Sequence, residues 1–215
     1  MSNPTTPASI GPGEFFPVVG VGPHEKPWPE GSQYDPELLL NGDRRNVLDH
    51  YRYWTVEAIV ADLDSKRHKL QIAIENWQHD LNIGSIVRTA NAFNVSGVHI
   101  VGKRDWNKRG AMVTDRYLTV HHHPTVEDFA VWCKENELPI IGIDNVPGSK
   151  QLESAQLPEK CVFLFGQEGA GMSDEGIAVC EVLYEINQYG STRSMNASAA
   201  GAIAMYHWAL QHLPR

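Results

Sequence analysis

The chain has 215 residues, of which 42% are hydrophobic, and a formal net charge of -8. That length suits one domain with an appendage, and no apolar run approaches membrane-spanning length. The acidic balance excludes a general nucleic-acid binder, so any RNA would have to be held by a local basic patch. The first basic residue is Lys26, so the charged and apolar regions of a secretory signal are not expected at the N-terminus. Cys133, Cys161 and Cys180 lie far apart with no C-x-x-C spacing, which points to a reducing cytoplasm and away from a cysteine-rich metal site.

Residues 1–34 carry seven prolines interleaved with glycine, a density that excludes helix and central strand. They read as a flexible or extended arm, with Phe15, Phe16, Val18 and Trp28 as apolar points. Residues 35–68 read as a helical extension. Asp35 caps a short helix that opens with Pro36 and ends at Asn41-Gly42. Apolar residues at helical spacing then run over 47–63 as one amphipathic helix or a broken pair, with Arg44, Arg45 and Arg52 on a solvated polar face.

From residue 69 to 215 strand and helix alternate. Strands are predicted over 69–75, 97–101, 118–121, 139–143, 160–165 and 181–186, and 76–80 is a loop. Asn82, Thr125 and Ser173 stand as N-caps, and a further helix is placed near Ala111. Repeated strand–helix units imply an α/β domain with a parallel sheet covered by helices on both faces, and ligands in such sheets sit beyond the carboxyl ends of the strands.

Three stretches carry chemistry. In Asn82-Ile-Gly-Ser-Ile-Val-Arg88-Thr-Ala-Asn-Ala-Phe93, Arg88 falls two turns into a helix near Ser85 and Asn91, suited to an oxyanion or phosphate, although alone it reads as a surface arginine. In residues 163–173, FLFGQEGAGMS, an apolar strand enters a glycine-rich turn that presents backbone polar groups to a ligand. It is neither a P-loop nor a G-x-G-x-x-G fingerprint, and Glu168 within it reads as a helix cap or a loop holder ahead of a substrate contact. In residues 186–205, INQYGSTRSMNASAAGAIAM, a polar loop becomes a helix of small residues at Ser194-Met195-Asn196, where side-chain donors and unpaired helix N–H groups converge.

Together and in this order, the three stretches resemble the motifs of the SPOUT superfamily of RNA methyltransferases, in its TrmH/SpoU branch, over about residues 69–210. The resemblance implies a deep trefoil knot at the C-terminal end, formed by residues 165–200, and a homodimer. It implies S-adenosylmethionine as cofactor, with Gly166, Ile186 and Met195 holding the adenosine half and Ile143 lining the same pocket. Arg88 would be the catalytic arginine, while Asn82, Glu168, Ser194 and Asn196 would shape the site and the target ribose. The activity implied is methylation of a ribose 2′-hydroxyl in tRNA or rRNA, with tRNA favoured. A non-catalytic RNA-binding module of the same fold and a small-molecule nucleotide binder are the alternatives. Two departures stand out: Asn187-Gln188 follows the last strand where the pattern has proline, and Asn94 replaces the glycine that ends the first-motif helix.

Residues 102–110, GKRDWNKRG, place Lys103, Arg104, Lys108 and Arg109 around Trp106, which fits unstacked bases and phosphates as well as it fits a solvated loop. The run His121-His122-His123 is not read as a metal site, because adjacent strand residues point to opposite faces.

Overall fold

A computed structural model describes residues 20–78 and 82–214. The chain divides into two compact units, one ending at Ile59 and one beginning at Val60. Phe15, Phe16 and Val18 and the last part of the 76–80 loop lie outside the described residues.

In the first unit, helix α1 (Pro36–Asn41) starts at Asp35, whose carboxylate accepts from the N–H groups of Glu37 and Leu38. From Gly20 onward the proline-rich segment is pinned by bridges of Val21 to Asp43 and Tyr34 to Trp54. Asp43 is fully buried. Burial opposes its ionisation, but hydrogen bonds from the Arg45 side chain and backbone and from Tyr53 N–H, with the charge of Arg45, outweigh it and hold the carboxyl at about 2. Arg45 and Arg52 are therefore not a solvated face: Arg45 binds Asp43 and the Trp54 carbonyl, and Arg52 donates to the Arg45 carbonyl. The periodic run is a broken pair, a single helical turn at Asp49–Tyr51 and α2 (Val56–Asp64), interrupted where Tyr53 adopts φ 64°.

The second unit is built on a seven-stranded parallel sheet. Its strands are β1 (His68–Asn76), β2 (Val95–Gly102), β3 (Val120–His123), β4 (Ile140–Ile143), β5 (Lys150–Gln151), β6 (Cys161–Phe165) and β7 (Val182–Glu185), ordered β3-β2-β1-β6-β4-β7-β5. Every pairing is parallel. Between them run α3 (Asn82–Ala92), α4 (Val126–Glu135), α5 (Asp174–Val179) and α6 (Ala197–His212).

Strand alternation sorts the core into two layers. Ile72, Ile74, Phe163 and Phe165 face Ile83, Ile86 and Val87 of α3 and Met205 and Trp208 of α6. Ala73, Val162 and Leu164 face the opposite layer, with Phe129 and Cys133 of α4 and Met172. Continuous burial along β6 and along β1 from Ile72 onward follows from helices on both sides.

Two features differ from the pattern-based expectation. The two-residue edge strand β5 carries no periodic signal. The stretch near Ala111 forms two short 3-10 turns, Lys108–Ala111 and Thr114–Tyr117, joined by Met112 and Val113 in the left-handed region. Trp208 of α6 is buried, and its indole N–H donates to the Pro158 carbonyl. Asn94 has a clear physical role. It sits at φ 46°, where asparagine substitutes for glycine most readily, and its side chain joins the Lys66 carbonyl and the Arg67 guanidinium. Among the described residues no helix is long and apolar enough to cross a membrane.

Candidate active site

The carboxyl ends of β4, β6 and β7 open into a cleft of about 430 Å³. Strand order reverses near this point, where open parallel sheets leave room for a ligand. The glycine turn after β6 forms one wall. Gln167 and Gly171 exchange backbone hydrogen bonds of 3.0 Å, which closes the turn, and Gly169 and Gly171 take positive φ. Gly166 admits no side chain, since a Cβ there would lie 2.1 Å from the Met172 nitrogen.

Three long-range contacts hold this turn. Asp144, following β4, accepts from Met172 N–H at 2.7 Å. Glu75, fully buried near the end of β1, accepts from the backbone N–H of Ser173 at 2.8 Å and from its hydroxyl, at the start of α5. Gln167 Oε1 accepts from Trp77 N–H at 2.9 Å. None of these three acceptors stands out as a site residue in the sequence. The available signal for Glu75 was a carboxylate inside an otherwise apolar strand, which must be paired to be buried.

The opposite wall is the loop between β7 and α6. Ile186, Ser194, Met195 and Asn196 line the cleft together with Ile143, Gly166 and Glu168. Asn145 Nδ2 donates to the Arg193 carbonyl at 2.7 Å and ties this loop to the end of β4. Asn187, at the departure from proline, donates to the Glu153 carboxylate. Asn196 is the N-cap of α6, its Oδ1 accepting from the N–H groups of Ser198 and Ala199. Its Nδ2 donates to Asn82 Oδ1 at 2.8 Å, and Asn82 Nδ2 donates to the Glu168 carboxylate. Residues from all three motifs thus form one chain of hydrogen bonds at the rim of the cleft.

Arg88 stands apart from this cluster. It is exposed on α3, does not line the cleft, and lies six residues, or ~9 Å of helix rise, beyond Asn82. Its guanidinium makes no hydrogen bond or ion pair among the described residues. The cleft lining includes the carboxylates of Asp144, Glu168 and Glu185 against the single cation Arg193, which favours a positively charged ligand.

The basic loop after β2 is anchored rather than loose. Asn76 Nδ2 donates to the carbonyls of Lys103 and Asp105, at 2.7 and 2.9 Å, while Lys103, Arg104, Lys108 and Arg109 are exposed. On β3, His121 and His123 share a face with His99, whereas His122 points the other way and contacts the Gly102 carbonyl. Among the described residues no group of three or more His, Cys, Asp or Glu is arranged to hold a metal ion. The three thiols are poor nucleophiles, since burial pushes each up to about 12, with the Glu75 charge adding to the effect at Cys180.

The fold and site define an α/β protein with a parallel sheet and a ligand cleft bounded by a glycine turn and a helix-capping loop. Residues 69–206 match the SpoU rRNA Methylase family, and the chain belongs to it. It is 25% identical over 147 residues to a tRNA (guanosine(18)-2′-O)-methyltransferase of Borreliella burgdorferi, covering 67% of each chain. It is 25% identical over 169 residues to the Saccharomyces cerevisiae protein of that name, covering 72% of this chain and only 12% of the yeast protein. The SpoU methyltransferase AviRb from Streptomyces viridochromogenes, solved in complex with the cofactor AdoMet, superposes with a TM-score of 0.62 at 22% identity, over 71% of this chain and 61% of that one.

Proposed function

We propose that this protein transfers a methyl group from S-adenosylmethionine to a ribose 2′-hydroxyl of RNA, with tRNA as the substrate class. The observation that carries this reading is the rim cluster Asn82–Glu168–Asn196, drawn from three distant segments to the mouth of a glycine-walled cleft. Family membership and the names of the relatives support it.

The cleft fits the cofactor on two counts. Gly166, closed to any Cβ by the backbone of Gly171 and Met172, keeps the turn folded tightly as a backbone wall of the cleft, and the acidic lining suits a ligand carrying ammonium and sulfonium charges. Gly166, Ile186 and Met195 would hold the adenosine half and Ile143 would pack beside it. When bound, the sulfonium supplies an activated methyl group. Asn82 and Asn196, each fixed by the other, would orient the target ribose, with Ser194 beside them and Glu168 holding Asn82. Arg88 would lie under substrate docked across the rim and stabilise the ribose oxygen as its proton leaves. Guanidinium stays protonated, so its role is electrostatic and not that of a base.

The reading extends to the rest of the chain. Residues 69–215 would be the methyltransferase domain, its C-terminal part from 165 to 200 tied as a deep trefoil knot, with residues 35–68 as an extension. Ala199, Ile203, Tyr206 and Leu210 recur at helical spacing and are exposed on α6, which suits a homodimer working in the cytoplasm. Lys103, Arg104, Lys108 and Arg109 would meet the RNA backbone. Calorimetry with S-adenosylmethionine, followed by mapping of 2′-O-methyl sites on tRNA incubated with the protein, tests the proposal. Cofactor heat with new ribose methylation is expected, and folded protein that gives neither refutes it. Cofactor-independent RNA binding without methylation would favour the non-catalytic alternative.

A further inference from the structure

The 3-10 segment 108–117 is costly to form and exposed. Met112 and Val113 are 60% and 53% accessible, yet both sit at positive φ, 48° and 68°. A branched side chain at such a φ is an outlier that persists only where its surroundings hold it. Those surroundings are visible. The loop approaches α3 so closely that a Cβ on Gly84 would lie 2.7 Å from the Ala111 nitrogen and 2.8 Å from the Asn107 oxygen. Thr114 is buried, with its hydroxyl donating to the Ala111 carbonyl at 2.7 Å. The backbone is therefore held in a shape that pushes two apolar side chains into water.

The surrounding charge says what the pair would meet. Between residues 103 and 116 there are five basic residues and two acidic ones, in a chain whose overall charge is -8. Lys108 reaches Asp115 at 3.0 Å and lies over the Trp106 ring at 5.4 Å, so Asp115 is occupied locally. Arg109 and Arg116, each three residues from the apolar pair, are exposed, as is Arg104 earlier in the loop. An exposed apolar pair flanked in the chain by exposed cations fits an unpaired nucleotide, whose base takes the apolar contact and whose flanking phosphates take the charges. Duplex RNA offers phosphates but no free base face. The segment packs on the first turn of α3, the turn that carries Asn82 at the catalytic rim.

We infer that Met112 and Val113 form a rigid wedge that takes an unpaired nucleotide of the substrate RNA, selecting looped over fully paired RNA. This deepens the proposed RNA methylation and rests on it. The test uses the full chain and two labelled probes, an RNA hairpin with an unpaired loop and the same stem closed as a blunt duplex. In Met112→Gly/Val113→Asn both residues tolerate the left-handed backbone, so this variant retains the fold while losing the wedge. It is expected to bind the hairpin about ten-fold more weakly while binding the duplex as before, with the same salt dependence and cofactor affinity. Lys108→Ala/Arg109→Ala/Arg116→Ala should instead weaken both probes and flatten the salt dependence. Wedge-variant affinity for the hairpin equal to the parent's, or an equal loss on both probes, overturns the inference and leaves the methyltransferase reading standing. A parent protein that binds neither probe overturns both.

Discussion

Acid should destabilise this protein most through one histidine, His99, with burial of His121 and His123 lowering their pKa and adding to the effect. His99 is fully buried on β2, its ring stacked on His121 at 4.8 Å and packed against Trp132 and Phe129 of α4, at 4.5 and 5.7 Å. With its Nε2–H donating to Gln71 Oε1 at 2.6 Å, its Nδ1 accepts from His123 Nε2–H at 2.9 Å, so both partners are satisfied by a neutral ring. A second proton would set N–H against N–H in a dry site. Burial, followed by repulsion from His121 and His123, pushes its pKa down to about 2. An unfolded chain takes up that proton near pH 6.5, while the folded chain refuses it until far lower pH. The stabilisation is therefore complete above pH 6.5 and falls as pH drops, by about 1.4 kcal/mol per unit. Going from pH 7.5 to 4.5 should remove about 2–3 kcal/mol through His99 alone. Carboxylates held low, such as Asp43, act only at more acidic pH. The assay is urea unfolding at both pH values for the parent and for His99→Gln, which keeps a donor and an acceptor but cannot titrate. The variant should be less stable at pH 7.5 and lose about 2–3 kcal/mol less on acidification. An unchanged pH dependence in His99→Gln would refute the assignment of acid sensitivity to this ring.

Other outcomes follow from the site. Arg88→Ala should lower single-turnover methylation by about 100- to 1,000-fold with cofactor affinity retained, since Arg88 lies outside the cleft lining, and Arg88→Lys should restore only part of the rate. Gly166→Ala should drive its methyl into the Met172 nitrogen, costing about 1–3 kcal/mol of stability and abolishing the calorimetric cofactor signal. Ile203→Asp/Tyr206→Asp on the exposed side of α6 should halve the mass measured by light scattering at micromolar concentration, while monomer in the parent would contradict the dimer. Asn82→Ala should cut both partners of the rim chain and lower the methylation rate more than cofactor affinity, as measured by turnover beside calorimetry.

Local pattern made most of the second unit legible. Asp35, Thr125, Ser173 and Asn196 cap helices where their residue types say they should, Asn82 is instead the first residue of α3, and the apolar runs became strands within one or two residues. The three motifs were legible through their combined resemblance to the TrmH/SpoU branch, each being weak alone, and the structure brings Asn82 into contact with both Glu168 and Asn196. The groups that hold those motifs in place were not, because their partners are far away in sequence. Glu75 acts 98 residues downstream at Ser173, Gln167 acts 90 residues upstream at Trp77, and Asp144 acts 28 residues downstream at Met172. Nothing periodic marks such pairs, since each is a single polar group meeting another only after the sheet has assembled in the order β1-β6-β4. The same reason hid the Met112-Val113 kink, which carries no glycine or asparagine and is imposed by the approach of Gly84.

A chain can therefore advertise its chemistry locally while concealing the geometry that makes it work. The Glu75 carboxylate has no part in the proposed transfer, and that of Asp144 enters it only through the charge of the cleft lining. Each nonetheless fixes a turn whose backbone must approach the ligand, and each does so from a neighbouring strand. The burial of Glu75 is tolerable because it accepts the Ser173 N–H that would otherwise be left unpaired at a helix start, and half-buried Asp144 accepts the Met172 N–H of the tight turn. The glycine turn is thus held by the sheet it grows from. That accounts for how a loop with three glycines in six residues, 166–171, can present a wall of fixed shape to a cofactor.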